Sequence, residues 1–230
     1  MAKEINYFKK IAPQLEMKYG RQKTRVIMAK ARARYEAIVE ENKDEPKAWH
    51  IHTRERIYPG IAVFDAMTAE GIGRKETADF IVECYRWRAG LMAPKIKALL
   101  KIPGLYRMVP GFFFNMIQKN FGPQMGFAAE NQELGRSGMR FDMVKCPYYE
   151  KCRHYGCPEI VKGYCEADDI LYGDMHPKHL WGRTQTLGKG GSCCDASDYR
   201  NGAGTERTFH LEKTGIKRTR LWPEPSPQRA

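Results

Sequence analysis

Between Cys165 and Asp195 the chain gathers side chains able to do chemistry: three thiols, five carboxylates, two histidines and one arginine. A thiolate is a strong nucleophile toward an sp2 carbon, and a neighbouring cation or helix terminus lowers its pKa. Cys165 and Cys194 are therefore the candidate nucleophiles. Asp168 and Asp169 follow Cys165 by three and four residues, which puts a candidate general base on the same face of a helix. Asp195 is a further candidate beside Cys194, although neighbours on a strand face opposite ways. Arg183 offers a planar fork for a substrate carboxylate. Thr184, Thr186 and His179 lie close to it in sequence and are candidate substrate contacts. His176 and His179 could act as acid and base, but Pro177 between them points to a loop. The glycine-rich run at 188–191 lacks the spacing of a phosphate-binding loop and reads as a tight turn.

The thiols admit a different use. Cys146, Cys152, Cys157 and Cys165 are separated by five, four and seven residues. Four thiolates so placed could hold zinc or an iron–sulfur cluster. No gap is a CxxC, so the first expectation is an enzyme with no metal or other cofactor, and a cysteine-ligated metal protein is the alternative. A non-catalytic small-molecule sensor is a third reading, because fold alone does not imply catalysis.

These residues need a scaffold, and 230 residues with 42% hydrophobic content suffice for one sizeable core or two modest ones. The N-terminal stretch MAKEINYFKK is charged where a signal peptide is apolar, and no run is apolar enough to span a bilayer. The expectation is a cytoplasmic protein whose seven cysteines are reduced. The net charge of +12 is uneven: residues 1–120 carry 23 basic against 13 acidic side chains, residues 121–230 carry 16 against 14. From Cys84 to Ala129 there is no carboxylate, yet seven basic residues stand among Trp87, Leu91, Met92, Leu99, Leu100, Tyr106 and Phe112–Phe114. That mixture fits either a buried helix pair whose Lys and Arg stems reach solvent, or peripheral contact with an anionic membrane or an acidic protein. The chain shows no zinc-finger spacing, RNP motif or helix-turn-helix, so nucleic acid is not an expected partner. The expected partner is a small-molecule substrate.

The fold class expected is α+β, with a helical domain over residues 1–120, a small mixed cysteine-rich part with a short antiparallel sheet over 121–211, and a flexible tail over 212–230. Ile27, Ala31, Tyr35 and Ile38 recur at helical spacing and predict a helix over about residues 21–42. Trp49-His50-Ile51-His52 is ambiguous, its histidines reading as solvent-facing or core side chains. Pro59-Gly60 opens a second helix that Gly71 closes. A third places Glu76 in its first turn and buries Phe80, Ile81, Cys84, Trp87 and Leu91 before Pro94 interrupts it. Two Pro-Gly pairs then precede a short aromatic helix ending near Asn120. Strands are predicted in GPQMGF, over 139–144, over 181–187 and over 193–199, with a cysteine-rich connection and a helix from Pro158 to Ala167 between the second and third.

Taken together, Cys146-Pro147-Tyr148, Gly156-x-Pro158-Glu159, Cys165-x-x-Asp168, Arg183-x-x-Thr186-Leu187, the glycine-rich turn and Cys194-Asp195 resemble the pattern of the L-2-amino-thiazoline-4-carboxylate hydrolase family. The helical first half, with GIGRKETADFIVE, is similar to that family's N-terminal part, so the resemblance spans roughly residues 20–200. It implies a hydrolase that opens a small five-membered heterocycle at its amidine-like carbon to give an N-carbamoyl amino acid. Cys193, an extra thiol beside Cys194, and Ala196, where an aromatic residue is expected, depart from the pattern.

Overall fold

The computed structural model describes residues 5–136 and 138–200. The tail predicted over 212–230 lies outside the described residues. The first helix, α1 (Asn6–Glu41), is longer than the periodicity suggests because two helices abut at Gly20, whose φ of 78° only glycine adopts freely. Its second part begins at Arg21, where the apolar spacing sets in, and buries Ile27, Ala31 and Ile38. Helix α2 (Tyr58–Ala69) is apolar on nearly every side and runs through the core. It ends at left-handed Gly71, whose N–H donates to the Thr68 carbonyl (3.0 Å) while the Ile72 N–H donates to Met67 (3.2 Å).

Helix α3 (Arg74–Leu100) passes straight through Pro94, against the expected interruption. A proline ring crowds the carbonyl four residues back and removes one N–H. Here that position is Gly90, which has open space around it, and the surrounding turns are exposed, so water can satisfy the freed carbonyl. Phe80, Ile81 and Cys84 are buried as predicted, but Trp87 and Leu91 are not. The buried-pair reading of the basic region therefore holds for Cys84, Ala89, Leu100, Val109, Pro110, Phe113, Ile117 and Phe127, and its other large apolar side chains are half-buried or exposed. A turn leads to α4 (Val109–Asn120).

GPQMGF does not form a strand. Pro123–Met125 is a single helical turn, and left-handed Gly126 brings the backbone against Trp49, where a Cβ would stand 2.8 Å from the indole. The sheet starts one residue beyond Phe127: β1 (Ala128–Leu134), β2 (Gly138–Lys145), β3 (His179–Gly182) and β4 (Cys194–Arg200) form an antiparallel sheet in the order β1-β2-β4-β3. Met139, Phe141 and Met143 of β2 point into the core while Arg140 and Asp142 face Glu133 and Asn131 of β1, the alternation their sequence implies. The strand predicted over 181–187 is shorter than expected, and Arg183 to Thr186 lie in a loop. The cysteine-rich connection is largely a helix, α5 (Pro147–His154), and after a turn at Pro158–Ile160 the next helix, α6 (Val161–Tyr172), runs further than its predicted end.

Helix α6 joins the two halves. It crosses α3 closely at Gly163, where a Cβ would lie 3.1 Å from the Val82 backbone, and it meets β3 through Tyr172 and Trp181 (ring centroids 5.3 Å apart). Buried side chains from Tyr7 to Ala196 form one cluster that draws on both halves. Among the described residues no helix is long and apolar enough to cross a membrane.

Candidate active site

The sheet, α6 and the helical half enclose an open cleft of about 1740 Å³, with Cys146, Cys165, Asp168, Arg183 and Cys194 in its wall. Cys194 is the first residue of β4 and pairs with Met143 of β2, as Ala196 pairs with Phe141, so its side chain shares their buried face. Cys193 and Asp195 consequently point to the other face. Cys165, in the middle of α6, lies within hydrogen-bonding reach of Cys194 and can donate its S–H to the Cys194 sulfur. A second donor is the Leu187 backbone N–H, 3.3 Å from Cys194 Sγ. The turn holding Leu187 reaches this position because Gly188 presses on α6: a Cβ there would stand 2.8 Å from Val161 Cγ1 and 3.7 Å from Cys165 Sγ.

These donors set the charges. The hydrogen bond from Cys165 holds the Cys194 thiol below its ordinary pKa, against the opposing effect of burial, with Leu187 assisting. Cys165, the partner that keeps the proton, is pushed up by the same hydrogen bond and by burial. Burial pushes Cys146 up to about 12. Asp168 is 48% exposed, but toward the cleft rather than open solvent, and the loss of hydration pushes it up to about 6 although Arg183 and Arg56 pull it down.

Arg183 acts as a clamp. Its side chain is only 7% exposed, and it donates to Asp169 (2.8 Å) and to the Cys165 carbonyl (2.5 Å), with Asp168 at 3.6 Å. Trp181 Nε1–H donates to the other Asp169 oxygen (3.1 Å). The loop after β3 is thereby tied to α6. Asp195 ties its far end, accepting the N–H groups of Thr184 (2.8 Å) and Gln185 (2.7 Å) and the Thr184 hydroxyl.

Of the residues singled out in the sequence, Cys165, Cys194, Asp168 and Arg183 line the cleft, whereas Asp195, Thr184, Thr186 and His179 do not. The loop conformation at 183–186 explains three of these: Thr184 caps Asp195, Thr186 turns into the interior, and Asp195 faces the loop. His179 is buried in β3 between Asp198 (2.8 Å) and the Tyr106 carbonyl (2.5 Å). Among the described residues no three His, Cys, Asp or Glu side chains are grouped as metal ligands. Cys152 and Cys157 touch one another in the core, while Cys146 and Cys165 face the cleft.

The cleft also contains a polar chain that no motif announces. His52 is buried, its Nε2–H donates to the Asn120 carbonyl (2.7 Å), and its Nδ1 accepts the Tyr148 hydroxyl (3.0 Å). Burial lowers the His52 pKa, which suits the neutral ring that this pattern requires. The Tyr148 oxygen is left to accept from Arg56, a cleft residue that forms no ion pair with a described carboxylate. His52 and Tyr148 are 96 residues apart, a separation that no local spacing reveals.

No curated protein matches the chain. The family model for L-2-amino-thiazoline-4-carboxylic acid hydrolase matches residues 50–197, a span that runs from the helical half through the thiol pair. With more than half of the sequence so covered, the chain belongs to the L-2-amino-thiazoline-4-carboxylic acid hydrolase family.

Proposed function

We propose that the protein hydrolyses a small cyclic amidine of the 2-aminothiazoline-4-carboxylate type through a covalent adduct on Cys194. The observation carrying this reading is geometric: Cys165 and Cys194 meet in one cleft with Asp168 and Arg56, and the Leu187 N–H points at the Cys194 sulfur. The Cys194 thiolate adds to the amidine carbon, and the ring carbon–sulfur bond breaks as the ring sulfur takes the Cys165 proton. Asp168 then removes a proton from water, whose oxygen attacks the same carbon and expels the Cys194 thiolate; the remaining water proton passes to the substrate nitrogen, leaving an N-carbamoyl product, and the proton on Asp168 returns to Cys165. A carboxyl group near pH 6 can take and release that proton at neutral pH. The substrate carboxylate pairs with Arg56 rather than Arg183, whose fork is already occupied by Asp169 and the Cys165 carbonyl.

The test is to incubate the enzyme with 2-aminothiazoline-4-carboxylate, follow release of the free thiol, and weigh the quenched protein. A mass increase confined to Cys194 and lost with Cys194→Ser is expected. Turnover that survives Cys194→Ser would end the covalent route.

A further inference from the structure

The second half of α3 and the turn into α4 project a surface with an unusual composition. Of the eleven large apolar side chains exposed among the described residues, seven lie between residues 87 and 112, from Trp87 at 46% exposed to Met108 at 67%. Trp87, Leu91, Lys95 and Leu99 are four residues apart and form one ridge along α3, which Ile102, Met108 and Phe112 extend around the turn. Basic side chains alternate with them. Lys97 is paired with Asp174 (2.6 Å), but Arg88, Lys95, Lys101 and Arg107 form no ion pair with a described carboxylate. The sequence from Cys84 to Ala129 supplies no carboxylate to offset them.

We propose that this hairpin docks the protein on an anionic lipid bilayer. The apolar tips form an exposed ridge that begins beside the cleft and runs around the turn into α4, an arrangement that suits shallow insertion among headgroups. The unpaired cations interleaved with them match a negatively charged surface. A second copy of the chain is a poor occupant, because it would set the same positive charges against one another. Trp87, Leu91, Met92 and Lys95 also line the cleft, so the docked orientation turns the cleft mouth toward the lipid.

The experiment is co-sedimentation of the full-length protein with phosphatidylcholine vesicles, with and without phosphatidylserine, at low and near-physiological salt. Binding that requires phosphatidylserine, weakens with salt and blue-shifts tryptophan emission is expected. Lys95→Gln with Lys101→Gln should weaken the partition by about twenty- to thirtyfold, from roughly fivefold per charge near such a surface. Leu99→Ser with Ile102→Ser should weaken it at every salt concentration. These positions are exposed, so loss of fold is not the expected cause, and an unchanged far-UV spectrum checks that. No sedimentation at low salt, equal binding to pure phosphatidylcholine, or binding indifferent to the lysine pair would overturn the proposal. Binding to polyglutamate with no binding to phosphatidylserine vesicles would overturn it in favour of an acidic protein partner.

Discussion

Cys165 on α6 and Cys194 on β4 bring their thiols into one hydrogen bond, so the titration of each cysteine depends on the other. Replacing Cys165 with Ala removes the main donor to Cys194. Hydrogen bonds to charged groups contribute roughly 1.5–3 kcal/mol, and S–H is a weak donor, so the Cys194 pKa should rise by about one unit. The check is the pH dependence of iodoacetamide alkylation at Cys194, read by mass spectrometry. Its midpoint should move to higher pH in Cys165→Ala and less in Cys165→Ser; an unmoved midpoint would show that the pair is not coupled.

Asp168 makes stability depend on pH with a definite sign. Its folded pKa, about 6, lies above the unfolded carboxylate value near 3.9, so the folded state holds this proton more tightly. The advantage is present below pH about 4 and is lost as pH rises through about 6. Because the side chain is half exposed, the change is a screened fraction of the full linkage energy, about 1 kcal/mol. Urea unfolding of Asp168→Asn at a series of pH values should show that loss removed. Parallel profiles for mutant and wild type would place the proton elsewhere.

Tyr148→Phe should destabilise the protein by about 1–3 kcal/mol, since it leaves His52 Nδ1 buried without its donor. Arg56 loses its acceptor in the same change, so KM for a carboxylate substrate should rise more than kcat falls. Denaturant midpoints and steady-state kinetics test the two parts separately. An unchanged midpoint would mean that the hydroxyl does not serve His52.

Gly188→Ala probes how the Leu187 N–H is delivered. The new Cβ meets Val161, whose branched side chain has little freedom to turn away, so the turn must lift from α6. A cost of about 1–3 kcal/mol and a higher Cys194 pKa are expected. Adding Val161→Ala makes room, and recovery of the low alkylation midpoint in the double variant would trace the effect to this contact. Failure to recover would detach the turn from the thiol chemistry.

Much of this molecule can be read from the chain because its signals are local. The Ile27–Ile38 spacing, the Gly71 stop, the alternation at 139–143 and the three-residue step from Cys165 to Asp168 each act within a few turns or one strand. What escapes is settled by distant partners. Pro94 is tolerated because the far half of α3 stands exposed beside Gly90. Arg183 resembles an anion-binding residue until Asp169 and the Cys165 carbonyl occupy its fork, and Asp195 resembles a base until the loop amides occupy it. Arg56 gains its setting only when Tyr148 arrives from the other half.

The placement of β4 has a consequence in time. It is the last described strand, yet it lies between β2 and β3 and brings Cys194 to Cys165. During synthesis the N-terminal elements emerge first, so Cys165 leaves the ribosome before Cys194 and is at that point without its thiol partner. Among the described strands β3 pairs with β4 alone, so the final strand both joins β3 to β2 and creates the reactive pair, and a chain ending before Cys194 carries no activated sulfur.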